Sequence, residues 1–202
     1  MEEEEHISIR SALVPTGGPL PNYHPSLLVC QQFFFFHTFD APQKDDVAAI
    51  REVNWRCLKS ERYNDRMIED HLEASGHLCF VARAGKKGHK SVVGYVLTEI
   101  DPTEQRYKQG YVVSLAVLPE FRRRGIASRL LAATSAALLT QEDASRVALT
   151  VSAANEAAQH FYKAQGFKQL RVEPSYYGNH EDGLTLQKLL CNEQLMNAGE
   201  SS

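Results

Sequence analysis

The stretch from Val112 to Leu131, VVSLAVLPEFRRRGIASRLL, changes its period in the middle. Val112 to Val117 is an apolar, β-branched run stopped by Pro119, which reads as a buried strand. Beyond Gly125 the apolar residues return at helical spacing, with Ile126, Leu130, Leu131, Ser135 and Leu138 on one face. A strand that turns this quickly into a helix aims the unpaired N–H groups of the helix start at one spot, where an anion is welcome. Gly125 lets an anion approach the backbone, Ala127 keeps the first turn small, and Arg122, Arg123 and Arg124 add charge and donors. On spacing alone, a pyrophosphate seat and a solvated basic turn are both good readings. The formal net charge of -3 makes the basic character local. It argues against a chain that binds nucleic acid through its overall field.

Around this unit, helix and strand patterns alternate. His6 to Ala12 has a strand's alternation, and DDVAAIREVNWRCL is a helix with Asp45 or Asp46 as N-cap and Val47, Ile50, Val53, Asn54 and Leu58 along one face. A second helix spans Asp65 to Ser75 and ends near Gly76. Strands follow at Leu78–Arg83, Ser91–Ile100 and Tyr111–Val117, then the helix Arg124–Thr140, a strand at Arg146–Ser152, a helix at Asn155–Gln165, and strands at Phe167–Pro174 and Gly183–Leu190. The pattern predicts a mixed α/β protein with one sheet and a single domain over residues 1–190, followed by a flexible polar tail at 191–202.

Residues 13–41 fit no period; VPTGGPLPNYHP is followed by SLLVCQQFFFFHTF. They read as an irregular insertion, either a flap near a substrate mouth or a translated intron, whose phenylalanine codons would form a pyrimidine tract; the second is preferred. The acidic start MEEEEHISIR shows no secretory signal, and no apolar run is long enough to span a bilayer. The scattered cysteines, Cys30, Cys57, Cys79 and Cys191, fit thiols of a reducing, cytoplasmic compartment. The eight histidines show no metal spacing.

RRRGIA (Arg122 to Ala127) resembles the (Q/R)-x-x-G-x-(G/A) signature of the GNAT N-acetyltransferase superfamily, and it follows a strand as that signature does. NEAAQHFYKAQGF (Asn155 to Phe167) resembles the superfamily's N-x-x-A-x-x-x-Y-x-x-x-G-F segment. Two motifs in the right order are far more specific than either alone. GYVVSLAVLPEFRRRGIASRLL and RVEPSYYGNHEDGLTLQKLL are similar to the catalytic subunits of NatA-type protein N-terminal (N-α) acetyltransferases. In KSERYND (Lys59 to Asp65) the glutamate matches the NatA type and Tyr-Asn-Asp the NatE type, without the Leu-Pro or Phe-Pro of either. The resemblance covers about Ile7–Ala12 and Ala41–Leu190.

This resemblance implies the GNAT (acyl-CoA N-acyltransferase) fold, a mixed, mostly antiparallel sheet flanked by helices. It implies acetyl-CoA as co-substrate, no metal, and direct attack of an amine in a ternary complex. It assigns cofactor binding to the backbone of Leu115, Ala116 and Val117 and to Arg122, Arg123, Arg124, Gly125, Ile126, Ala127 and Ser128. Asn155 joins them, and it also suits a helix N-cap. Tyr162 matches the frequent general acid; without the motif it is a half-buried aromatic. Glu61 matches the NatA-type glutamate and is the first choice for the base, with Tyr111 the second. Thr150 stands where several relatives have histidine; a threonine is no general base near neutral pH, which raises the weight on Glu61 and Tyr111. Tyr63, Tyr176 and Tyr177 match the aromatic wall of the peptide N-terminus, or are ordinary β-favouring tyrosines. His180, Glu181 and Asp182 read as turn residues.

The implied acceptors are protein N-termini of nascent chains, with an auxiliary helical-repeat subunit and ribosome association as possible partners. No membrane and no direct nucleic-acid partner is expected. The alternatives are a GNAT acting on another amine (a ribosomal-protein N-terminus, a lysine or a small molecule) and a CoA-binding subunit that has lost catalysis.

Overall fold

The computed structural model describes residues 36–58, 62–86, 89–104, 106–178 and 180–190. Its strands are β1 (Phe36–Asp40), β2 (Phe80–Lys86), β3 (His89–Ile100), β4 (Gln109–Val117), β5 (Arg146–Ser152), β6 (Lys168–Glu173) and β7 (Gly183–Leu189). Its α-helices are α1 (Val47–Cys57), α2 (Asp65–Ser75), α3 (Ile126–Gln141) and α4 (Glu156–Ala164).

From α1 onward the elements agree with the periodicity to within a few residues. The start of the sheet differs. The strand expected at His6–Ala12 lies outside the described residues, as does most of the irregular stretch 13–41. The last part of that stretch is not irregular, because Phe36–Asp40 forms β1 and pairs antiparallel with β2 from Phe36↔Gly85 to Asp40↔Val81.

The helix starts follow local chemistry. Asn64 caps α2 by accepting from the Met67 N–H at 2.9 Å, and Asn155 caps α4 by accepting from the Ala158 N–H at 3.1 Å. Asp46 stands at the N-cap of α1 but makes no side-chain cap bond there. Its carboxylate instead takes a bidentate pair from Arg83 at 2.7 and 2.6 Å and the Gln43 N–H at 2.7 Å. Burial pushes the Asp46 carboxyl up, but the Arg83 and Gln43 hydrogen bonds outweigh it and hold the group below its ordinary 3.8. A depressed folded value contributes stability above the unfolded value, and that stability is lost as pH falls through the folded one. Asp46→Asn is therefore expected to lower the melting temperature at pH 7, with the gap to wild type closing in acid below pH 3.8.

The sheet order is β1-β2-β3-β4-β5-β7-β6. All neighbours are antiparallel except β4 and β5. That parallel pair meets only at Gln109↔Arg146, Gly110↔Val147 and Tyr111↔Ala148. Past Tyr111, β4 is laddered only to β3, and past Ala148, β5 is laddered only to β7. The two strands part, and the sheet opens between them. A bulge in β4 helps: Leu97 pairs with Ser114 and Thr98 with Val112, so Val113 has no partner on β3. Such an extra residue bends its strand and re-aims its side chains.

The core lies between the sheet and its helices. From α1 it takes Val47, Ile50 and Val53, and from α3 Ile126, Leu130, Leu131, Ala137 and Leu138. On α3 it is Thr134, not Ser135, that is fully buried; its hydroxyl donates to the Leu78 carbonyl at 2.7 Å, while Ser135 bonds back to the Leu131 carbonyl of its own helix. Gly110 marks the root of the opening, where a Cβ would stand 2.3 Å from Leu138 Cδ1. A side chain there would have to push the fully buried Leu138 aside, one rung before the last β4–β5 pair, Tyr111↔Ala148.

Candidate active site

The gap between β4 and β5 is a cleft. It is lined by Val112–Leu115 from β4, Leu149–Ser152 from β5, Asn155, Ala158 and Tyr162 from the start and face of α4, and Leu58, Tyr177 and Glu181 from connecting segments. Its position follows from the register: strands that part leave backbone edges without a ladder partner, here the edge of β4 beyond Tyr111 that faces β5.

At the C-terminal end of β4 the chain makes a short 3-10 turn (Pro119–Phe121) and enters α3 through the arginines. Arg123 has φ 62° and Gly125 φ 75°, both left-handed. α3 begins without a side-chain cap, and its first α-helical bond there is Arg129 N–H to the Gly125 carbonyl at 3.1 Å. The N–H groups of Ile126, Ala127 and Ser128 precede that bond, so they are the donors a helix start presents. Gly125 is exposed, and a Cβ there would meet nothing within 4 Å. The turn is open as a nest for an anion should be. Two of the arginine side chains brace the turn itself: Arg122 Nε donates to the Val117 carbonyl and Arg124 Nη2 to the Glu120 carbonyl, each at 2.9 Å. Arg124 also lies 5.3 Å over the Phe121 ring.

The aromatic candidates gather at the other side of the gap. Tyr111 Oη donates to Thr150 Oγ1 at 2.8 Å and lies 3.5 Å from Tyr176 Oη. Tyr177 Oη donates to the Thr150 carbonyl at 3.1 Å, and its ring meets Tyr176 edge-on at 5.0 Å. Gly183 makes room for this pair, since a Cβ there would fall 2.9 Å from Tyr176 and 2.7 Å from Thr150 Cγ2. Tyr162 is held edge-on between Phe161 at 5.1 Å and Phe167 at 5.6 Å, with its body against the core.

The cleft thus brings together Leu115, Asn155, Tyr162 and Tyr177; Tyr111 joins it through Thr150, and the Tyr176 hydroxyl lies beside that of Tyr111. Ala116 and Val117 are buried beside it, and residues 122–128 form the turn beyond. Tyr63 is not among the lining residues; it is partly buried against the core, and its backbone donates to Asn54 Oδ1 at 2.9 Å and accepts from Trp55 Nε1 at 2.7 Å. Glu61, the first choice for the base, lies outside the described residues.

Sequence reasoning passed over several residues of this site. Glu181, read as a turn residue, lines the cleft and is hydrogen-bonded to Ser152. Asn54, read only as part of the α1 face, is fully buried. It donates to Tyr95 Oη at 2.9 Å, and Tyr95 Oη in turn bonds Ser114 Oγ of β4 at 2.8 Å. Through the Tyr63 N–H, which Asn54 Oδ1 accepts at 2.9 Å, this network ties Tyr63 to the strand beside the cleft. An asparagine on an apolar helix face was the available signal, because such a group must be hydrogen-bonded. Asn54→Ala strands the Tyr63 N–H and a Tyr95 lone pair, and a loss of about 2 kcal/mol in a denaturant titration is expected. Among the described residues, no three His, Cys, Asp or Glu side chains gather as a metal site, and no helix is long and apolar enough to cross a membrane.

A mixed sheet split between two parallel strands, with an uncapped helix start at one end of the split and tyrosines at the other, defines the protein's class as an acyl-CoA N-acyltransferase fold. Comparison with known proteins agrees. Residues 46–167 match the Acetyltransferase (GNAT) family. An N-alpha-acetyltransferase of Saccharolobus solfataricus is 33% identical over 72% of this chain and 89% of its own. The N-terminal acetyltransferase A complex catalytic subunit NAA10 of Arabidopsis thaliana is 33% identical over 74% of this chain and 76% of its own. Among solved structures, a chain of the NatC complex bound to Gag peptide and CoA superposes with a TM-score of 0.68 at 23% identity, covering 77% of this chain and 99% of that one. The chain belongs to the GNAT acetyltransferase family.

Proposed function

We propose that this chain is an N-α-acetyltransferase of the NatA catalytic type, moving an acetyl group from acetyl-CoA to the free α-amino group of protein N-termini by direct attack. The observation that carries the reading is the split between β4 and β5, which joins an anion-seating turn to a tyrosine-walled opening. The relatives named for N-α-acetylation support it, as does the neighbour solved with both CoA and a peptide.

The residues fit the cofactor. The uncapped N–H groups of residues 126–128 and the open space over Gly125 suit a pyrophosphate, and the unladdered edge of β4 at Leu115–Val117 suits an amide-bearing arm. When bound, acetyl-CoA supplies an activated acetyl thioester. Arg122, Arg123 and Arg124 surround the pyrophosphate seat with positive charge, and Asn155 holds the start of α4 in place beside the cleft. Tyr162 is proposed to give its phenolic proton to the leaving sulfur. Tyr63, Tyr176 and Tyr177 wall the acceptor's N-terminus. Glu61 is proposed to accept the amine's proton, directly or through a water, and Tyr111 to share that work at the cleft. We place the enzyme in the cytoplasm on nascent chains, with an auxiliary helical-repeat subunit as partner; the relative named as a catalytic subunit of a complex supports the partner. We read residues 1–190 as one GNAT domain, interrupted by an insertion ahead of β1 and followed by a polar tail.

The test is transfer from labelled acetyl-CoA to peptides starting with Ser, Ala, Met-Leu, Asp and Glu, with N-blocked lysine peptides and a ribosomal-protein N-terminus as further arms. Label on free N-termini of general peptides alone is expected. Label chiefly on lysine, or on the ribosomal N-terminus only, would assign a different acceptor.

A further inference from the structure

The hydroxyl of Tyr111, bonded to the cleft-lining Thr150, is the first member of a chain that crosses to the edge of the sheet. Tyr111 Oη lies 2.8 Å from Thr150 Oγ1, Thr150 Oγ1 lies 3.3 Å from Thr185 Oγ1, and Thr185 Oγ1 lies 3.0 Å from Glu173 Oε1. The residues come from β4, β5, β7 and β6, and the sheet lines them up: Tyr111 pairs with Ala148, two residues before Thr150 on β5. Thr150 faces Thr185 directly, and Thr185 lies opposite the β6 bulge ahead of Glu173. Thr185 is buried, while Glu173 reaches solvent with 28% of its side chain and is paired with Arg171.

Each hydroxyl has one proton to give, and an ionised carboxylate only accepts. The direction of the chain is therefore set from its far end. Thr185 gives its proton to Glu173, so it must accept from Thr150. Thr150 has then given its proton and must accept from Tyr111. Tyr111 has then committed its own proton to Thr150, so toward an amine it can act only as an acceptor. The pairing with Arg171, and then the Thr185 hydrogen bond, holds the Glu173 carboxyl below the usual carboxylate range, so the anion that orients the chain is present at neutral pH.

We infer that Thr150, Thr185 and Glu173 are a proton relay that carries the acceptor amine's proton from Tyr111 to solvent. The inference rests on the amine-acetylating reading above. As the nitrogen attacks, its N–H bond breaks and a new O–H bond forms on Tyr111. The Tyr111 proton passes to Thr150, the Thr150 proton to Thr185 and the Thr185 proton to a Glu173 oxygen. Glu173 then releases the proton to water and the hydroxyls rotate back. Thr150 cannot be a base, but a hydroxyl that accepts from one side and donates to the other passes a proton without ever being charged. Thr185 and Glu173 are positioning residues, acting through Tyr111.

The test is a double-mutant cycle on kcat with saturating acetyl-CoA and a peptide acceptor. Thr185→Val, nearly the same shape, is expected to lower kcat about tenfold, and Thr185→Ser to restore it to within about twofold. In a Tyr111→Phe background, Thr185→Val should cost nothing more, because the chain is already cut. Glu173→Gln keeps an acceptor for Thr185 but no basic oxygen, and should match Thr185→Val. CoA affinity by calorimetry should stay within about twofold in every variant, which a general loosening of the site would not allow. Additive losses in the cycle, full activity of Thr185→Val, or full activity of Glu173→Gln would each overturn the relay. Should the wild type acetylate no amine at all, the acetyltransferase reading fails and the relay with it.

Discussion

Tyr111→Phe is expected to lower kcat about 100-fold while leaving the KM for acetyl-CoA nearly unchanged. The substitution removes one oxygen and keeps the ring, so packing against β5 survives. What disappears is the group that bonds Thr150 at 2.8 Å and sits 3.5 Å from the Tyr176 hydroxyl, where β4 and β5 begin to part. A loss confined to kcat is the mark of an interaction made in the reaction and not in cofactor binding. Steady-state rates on a peptide acceptor decide it. An unchanged kcat would pass proton removal to Glu61 alone, and Glu61→Gln should then carry the whole loss.

Gly125→Val is expected to weaken CoA binding about thirtyfold, or roughly 2 kcal/mol. The cause is not a clash, since a Cβ at this position has nothing within 4 Å. It is the backbone: φ is 75°, and a β-branched residue held there is strained by about 1–3 kcal/mol. Relief requires φ to turn negative, which swings the N–H groups at the start of α3 away from their common focus. Gly125→Asn should lose much less, because asparagine tolerates the left-handed region. Calorimetric titration with CoA checks both; equal affinities for Gly125→Val and wild type would place the pyrophosphate elsewhere.

Much of this architecture was legible in the sequence because it is local. A change of apolar period marks β4 and α3 on either side of Gly125, and Asn155 sits before its helix as a cap. β1 was not legible. Phe36–Asp40 follows a run of phenylalanines with no alternation, and it is a strand because β2 offers an edge to pair with. The bulge at Val113 was equally hidden, since neither glycine nor proline marks it; it exists only in the register between β3 and β4.

The site divides the same way. Asn155, Tyr162 and the Arg122–Ser128 turn lie in or beside two contiguous motifs, so the family resemblance those motifs carry named them as candidates. Tyr111, Thr150, Glu173 and Thr185 are far apart along the chain, and only the strand order β4-β5-β7-β6 makes them neighbours. Read singly, Thr150 looked like a lost histidine. In the sheet it is the acceptor that fixes the direction of the Tyr111 hydroxyl. The arginines carried the opposite lesson: their charge was plain, but the carbonyl contacts of Arg122 and Arg124 show that part of their work is holding the turn in shape.

The most direct test of the central claim, that amine and acetyl donor meet in the β4–β5 split, is a crystal structure with CoA joined covalently to a peptide's α-nitrogen. The account predicts the pyrophosphate on the N–H groups of residues 126–128, the sulfur beside Tyr162, and the peptide nitrogen about 3 Å from Tyr111 Oη or one water away from it. A conjugate lying along another face, or a nitrogen with neither contact to Tyr111, would contradict it.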